Sequence, residues 1–180
     1  EFADGILNSL FPNIDVGLQI GLWLNGTYGC ETIINGSMNR QLNELRNYLE
    51  VTNASAVFLR VGYEFDNPFF GYSDSPATYV AAFQKIVKFM KNGLSPEKFA
   101  KTQFVWHSWA APRRGNLTLE DFYPGSEYVD WIGISLFRQV FPWKSDWGNG
   151  YVDWGGSMKD VEDVLLFAKK YDKPTMIAES

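Results

Sequence analysis

The chain has very little of the usual metal and redox chemistry: one cysteine, Cys30, and one histidine, His107, in 180 residues. A single cysteine excludes an internal disulfide, and two residues fall short of the three or four ligands a Cys/His zinc site needs. A Cys–His nucleophilic pair stays formally open, with no motif behind it. No run of about 18 apolar residues occurs, so no membrane-spanning helix is expected. Positive charge is sparse: no basic run exceeds two residues, as at Arg113–Arg114, the formal net charge is −5 and the pI is about 4.9. That balance argues against a nucleic-acid partner and for a neutral one. Neither Gly-x-Gly-x-x-Gly nor a Walker pattern follows the first strand, which removes the commonest use of a doubly wound sheet, and no cofactor is expected. No secretory signal is present, yet the chain begins at Glu1 without Met and reads as processed or excised.

What the chain does have is apolar and aromatic residues. It is 46% hydrophobic and 21% charged, an ordinary composition for a single globular unit spanning 1–180. Aromatics reach 17%, with 7 Trp, 9 Tyr and 14 Phe. A core can absorb them, and so can a sugar-binding cleft, where pyranose C–H faces stack on aromatic planes; composition does not separate the two. Four glycosylation sequons begin at Asn25, Asn35, Asn53 and Asn116 and lean toward a secreted, extracellular glycoprotein.

Hydrophobic periodicity alternates between the strand and helix templates. Val16–Leu24 alternates with period two and predicts a strand. Asn39–Val51 places Leu42, Leu45 and Leu49 at helical spacing, and Ala56–Tyr63 is the next strand. Ser75 and Pro76 open a helix whose stripe is Tyr79, Phe83, Ile86, Val87 and Met90, closed by Gly93. Gln103–Trp109, Val129–Phe137 and Thr175–Glu179 read as strands, with a helical turn near Leu119–Tyr123 and a helix capped by Ser157. Five strands alternating with helices predict an α/β fold with a parallel sheet. The length, short of the ~250 residues of an eight-stranded barrel, favours an open sheet; the pattern of strand ends favours a piece of a TIM barrel.

Active sites of parallel α/β folds form at the carboxyl ends of strands. The second strand ends Arg60-Val61-Gly62-Tyr63-Glu64, and alternation puts Phe58, Arg60, Gly62 and Glu64 on one face, with Val57, Leu59, Val61 and Tyr63 on the helix side. The last strand ends at Glu179, which alternation groups with Thr175 and Ile177. A lone strand-end glutamate is most often a surface carboxylate. Two of them among aromatics match what glycoside cleavage requires: one protonated to assist the leaving oxygen, one ionised to attack carbon or activate water. Arg60 is placed to orient a carboxylate.

Arg60-Val-Gly-Tyr-Glu64-Phe, Phe104-Val-Trp-His-Ser-Trp109, Val129-Asp-Trp-Ile-Gly-Ile-Ser-Leu-Phe137 and Lys173-Pro-Thr-Met-Ile-Ala-Glu179 follow in order along the chain. Together they resemble strands four to seven of a clan A glycoside hydrolase (β/α)8 barrel, most like the family 26 β-mannanase group, with Val16–Leu24 as strand three. The resemblance implies an incomplete barrel, Glu64 as acid/base, Glu179 as nucleophile and retaining hydrolysis of a neutral β-linked polysaccharide, mannan first. The carboxylates would then stand about 5–5.5 Å apart. Two positions depart from the family pattern: Tyr63 stands where a His precedes the acid/base, and Phe137 where a tyrosine supports the nucleophile. Those departures keep a second expectation open, a non-catalytic carbohydrate-binding or structural barrel, beside an unrelated open α/β enzyme. A barrel ending at Ser180 leaves sheet edges unpaired, so further segments or a partner closing it are expected.

Trp23, Trp106, Trp109, Phe137 and Trp143 sit at or just after strand ends as candidate sugar contacts, as do Arg60, Tyr63 and His107. Packing under long loops accounts for such aromatics equally well, and His107 reads as well as a structural residue. Asp66–Phe70 reads as a cleft lip or a turn. Asp146, Asn149 and Asp153 fit no calcium-loop spacing, and no metal site is expected.

Overall fold

The computed structural model describes residues 15–110, 115–140, 151–154 and 158–180. Five strands, β1 (Gly17–Leu22), β2 (Ala56–Val61), β3 (Thr102–Ser108), β4 (Trp131–Ser135) and β7 (Thr175–Glu179), form one sheet in the order β1-β2-β3-β4-β7. Every pair in it is parallel. The helices are α1 (Gly26–Ile34), α2 (Asn39–Val51), α3 (Pro76–Gly93), α4 (Pro96–Lys101) and α5 (Met158–Lys170). A two-stranded antiparallel hairpin, β5 (Phe137–Val140) with β6 (Tyr151–Trp154), follows β4.

The sheet is curled rather than flat. The Gln19 side chain on β1, one edge, donates a 2.8 Å hydrogen bond to the Ala178 carbonyl on β7, the other edge. This is a half-barrel of five strands, which decides against the open doubly wound sheet. Its convex face carries the core: Val57, Leu59 and Val61 of β2, Phe104 and Trp106 of β3, and Ile132 and Ile134 of β4 are buried with Leu42, Phe83, Ile86, Met90, Val164 and Phe167 from the helices. Each large side chain there contributes about 1.5–3 kcal/mol by leaving water. The concave face carries Phe58, Val105 and Trp131 lower down and, toward its carboxyl end, the polar or small residues Gly21, Arg60, His107, Gly133 and Ser135.

Local sequence explains the helix that frames this end. Pro76 suits the first turn of α3, and the stripe Tyr79, Phe83, Ile86, Val87 and Met90 is buried as its spacing predicts. The expected side-chain cap from Ser75 is not made; its hydroxyl bonds that of Thr78 at 2.7 Å, while its carbonyl accepts from the Thr78 and Tyr79 amides. The Ser157 cap of α5 lies outside the described residues.

Two readings of strand ends are corrected. β4 stops at Ser135, and Phe137 opens β5 instead of ending the barrel strand. The Leu136 amide still donates to the Glu179 carbonyl at 2.8 Å, the last tie to β7 before β5 begins. On β7 the register shifts: Ile134 pairs with Ile177, but Ser135 pairs with Glu179, leaving Ala178 as an extra residue. Alternation alone groups Glu179 with Ile177, on the outer face. The bulge rotates it to the inner face beside Ser135, since one inserted residue re-aims everything after it.

Candidate active site

The site begins where β2 ends. After Val61 the chain turns through Gly62 (φ 55°), and Glu64 itself has φ 53°. A left-handed conformation is strained for a non-glycine residue, by about 1 kcal/mol or more. The turn is pinned from both sides: the Gly62 amide donates to Leu22 O at 2.8 Å and the Phe65 amide to His107 O at 3.2 Å. It also carries Tyr63 off the helix side, where alternation had placed it, and over Arg60, whose guanidinium lies 5.3 Å from its ring centre. A Cβ on Gly62 would stand 2.6 Å from the ring of buried Tyr79. We therefore expect Gly62→Ala to lose about 2–3 kcal/mol of stability, from backbone strain and overpacking together, read as a lowered urea midpoint at unchanged slope.

Glu64 is 6% exposed. Its Oε1 accepts from the Ser135 hydroxyl at 2.6 Å and its Oε2 from Asn67 Nδ2 at 3.1 Å. Burial raises its carboxyl above the ordinary range; the bonds from Ser135 and Asn67 work against that, the negative Glu179 adds to it and the positive Arg60 subtracts. Asn67 is held in turn, its Oδ1 accepting from the Phe69 amide at 3.0 Å. Asp66–Phe70 is thus a hydrogen-bonded turn that supports Glu64. Its Asp66 accepts from Ser108 Oγ and from the Trp109 amide, both at 2.6 Å, tying the turn to the end of β3.

Arg60 joins the two glutamates. Its Nη1 donates to Glu179 Oε1 and also faces His107 Nδ1 at 3.3 Å, while Nε is buried with no hydrogen-bond partner. His107 Nε2 lies 2.9 Å from Ser135 Oγ. Burial and the adjacent Arg60 hold the His107 imidazole far below its usual range, to about 3, so it is neutral. The concave face makes room for the guanidinium at Gly21, where a Cβ would lie 3.1 Å from Arg60 Nη2. Glu64 and Glu179 therefore stand at the same end and on the same face of the sheet, linked by Arg60, His107 and Ser135.

The sequence-level contacts divide. Tyr63 is half-buried above Arg60 and His107. Trp109 is half-buried and edge-on to Phe69, which is 80% exposed. Trp106 is corrected: its ring is fully buried on the convex side, stacked 4.2 Å from Phe65, with its indole N–H donating to Phe122 O at 3.0 Å. Period two sends Trp106 outward because His107 points inward. His107 is itself fully buried, so it touches Ser135 and Arg60 rather than solvent. Trp23, 58% exposed, lines a groove of about 370 Å³ with Tyr28, Met38 and Leu45; none of Arg60, Tyr63, Glu64 and Glu179 lines that groove. Trp143 and the Phe137 side chain lie outside the described residues, as do Asp146 and Asn149 and the side chain of Asp153. The asparagines of the four sequons, Asn25, Asn35, Asn53 and Asn116, are exposed.

Sequence reasoning missed Ser135 and Asn67. Ser135 shares the inner face of β4 with Gly133, a signal obscured by running the strand on to Phe137. Among the described residues no cluster of three or more His, Cys, Asp or Glu could hold a metal ion. Cys30 is buried in α1 and its thiol is pushed up to about 12 by that burial, which leaves it inert. No helix among the described residues is long and apolar enough to cross a membrane.

No protein-family model matches the chain. It is 26% identical over 165 residues to the β-1,3-xylanase TXYA of a Vibrio species, covering 91% of this chain and 31% of that protein. A β-1,3-xylanase of an Alcaligenes species is 25% identical over 176 residues, covering 97% and 32%. Among solved structures, mannanase man26 of Bacillus subtilis superposes with a TM-score of 0.61 at 17% identity, covering 97% of this chain and 54% of that one. GH26A of a Muricauda species gives 0.65 at 12% identity, covering 98% and 60%. Over its length the chain shares the fold of these solved chains, a Bacillus subtilis mannanase among them. It spans about a third of the length of these curated relatives and somewhat more than half of these solved chains.

Proposed function

We propose that this chain carries the catalytic centre of a retaining glycoside hydrolase that cleaves a neutral β-linked polysaccharide, with Glu64 as acid/base and Glu179 as nucleophile. The observation that carries the reading is the asymmetry of the two carboxyls. Glu64 is buried with its proton affinity raised, which suits an acid; Glu179 is more exposed and ion-paired to Arg60, which suits an ionised nucleophile.

In the first step Glu64 transfers its proton to the glycosidic oxygen as the C1–O bond breaks. Glu179 attacks C1 from the opposite face and forms a glycosyl ester. Arg60 holds Oε1 of Glu179 and so presents Oε2 to the sugar carbon. In the second step the Glu64 carboxylate takes a proton from water, whose oxygen attacks C1 and releases Glu179. Two inversions leave the anomeric configuration unchanged. Tyr63, Phe69 and Trp109 are the aromatic faces for the sugar rings, and the exposed sequon asparagines support an extracellular site of action.

The test is hydrolysis by the intact protein of β-1,3-xylan and of β-mannan, with the first-formed anomer followed by proton NMR. The β anomer from either polymer supports the reading. The α anomer overturns the retaining step, and saturable oligosaccharide binding without turnover supports a non-catalytic barrel instead.

A further inference from the structure

We propose that His107 and Ser135 are positioning residues: they form a one-way hydrogen-bond relay from Arg60 to Glu64 that holds Oε1 of Glu64 as an acceptor and leaves Oε2 as the oxygen that carries the transferable proton. The inference rests on the acid/base role of Glu64 for its functional meaning, though not for its geometry.

The direction of the relay follows from what each group can donate. A guanidinium has N–H donors and no acceptor, so Arg60 Nη1, 3.3 Å from His107 Nδ1, requires Nδ1 to accept. A neutral imidazole carries one proton, which then sits on Nε2 and is donated to Ser135 Oγ at 2.9 Å. The serine hydroxyl, already accepting from His107, directs its own proton to Glu64 Oε1 at 2.6 Å. Reversing the last two bonds would need a proton on Nδ1, facing the Arg60 cation. Oε1 is therefore an acceptor in both protonation states of Glu64. The 3.1 Å bond from Asn67 takes one lone pair of Oε2 and leaves the other for the acid proton.

Among the described residues, charged and titratable groups face this relay from three strands and one turn. They are Arg60 from β2, Tyr63 from the turn after it, whose ring lies over Arg60 and beside His107, Glu179 from β7 and His107 from β3; Asp66 of the supporting turn is directed at Ser108 and the Trp109 amide. Arg60 is thereby given two tasks, orienting the Glu179 carboxylate and setting the histidine tautomer that fixes Glu64. A single cation coordinates the nucleophile and the acid.

Imidazole 15N NMR of the intact protein reads the tautomer directly, with His107 assigned by the signals missing from a His107→Gln variant. The expected state is Nε2–H with Nδ1 unprotonated, persisting down to about pH 5, where an ordinary histidine is charged. An Nδ1–H tautomer, or an imidazolium at pH 6, overturns the relay whether or not the protein hydrolyses glycans. With activity, Ser135→Ala removes a bond that favours the ionised carboxyl. Its kcat is expected to fall about tenfold with KM little changed. The alkaline limb of its pH profile moves upward, and Ser135→Thr, which keeps the hydroxyl, restores the limb. A purely structural serine would reduce folded yield and leave the limb where it was, and that result also overturns the proposal. Loss of activity in Glu64→Gln beside an unmoved limb in Ser135→Ala would condemn the relay alone; full activity in Glu64→Gln would condemn the acid assignment alone.

Discussion

Replacing Glu179, the proposed nucleophile, with alanine is expected to lower turnover of a β-glycan by at least about 10⁴-fold, because the proposed displacement loses its attacking atom. Two variants separate chemistry from stability. Glu179→Ala leaves the Arg60 guanidinium, mostly buried and already without a partner for Nε, short of its carboxylate, so some stability is lost with the activity. Glu179→Gln keeps an amide oxygen for Arg60 Nη1 and should melt near the wild type while being equally inactive. Sodium azide then distinguishes a nucleophile from a merely charged neighbour. In the alanine variant the anion fits the vacated space beside Arg60 and attacks C1 from the same side, while Glu64 still protonates the leaving oxygen. The expected product is an α-glycosyl azide from a β-glycoside. No rescue, or rescue giving the β-azide, would remove Glu179 from the nucleophile role.

The strands that bring these residues together were legible because their signals are local. Thr175–Glu179 matches β7 to the residue, and Asn39–Val51 matches α2. α1 was not legible: GTYGCETII has two glycines and four β-branched residues, poor helix formers all. Its stability comes from contact, with Gly29, Cys30 and Ile33 buried where it meets α3. The two glutamates were legible as strand-end carboxylates. Their support was not, because it depends on non-local facts: the bulge that turns Glu179 inward, the left-handed turn that brings Tyr63 over Arg60, and the early end of β4 that leaves Ser135 facing Glu64. In Trp106-His107 the alternation was visible, but not which of the two faced the core.

Glu64→Gln is expected to lower turnover of the polysaccharide by about 10³-fold, within the range for a general acid. The loss should shrink sharply for aryl glycosides of acidic phenols, whose leaving oxygen needs no proton. A leaving-group dependence absent from the wild type and present in the variant identifies the acid; an equal loss on all substrates would mean that Glu64 only shapes the pocket. The pH profile gives an independent check. Wild-type activity should fall as pH rises through the Glu64 pKa, which burial has raised, and the variant should lack that limb. Stability should respond with a definite sign. A carboxyl whose folded pKa lies above its unfolded value binds its proton more tightly in the fold, so its contribution falls as pH rises from the ordinary carboxyl range through the raised value. The melting-temperature difference, variant minus wild type, should therefore grow more positive across that window. The same burial that raises the proton affinity of Glu64 makes its ionised form a cost to the fold. Ser135 and Asn67 offset that cost by donating to both of its oxygens.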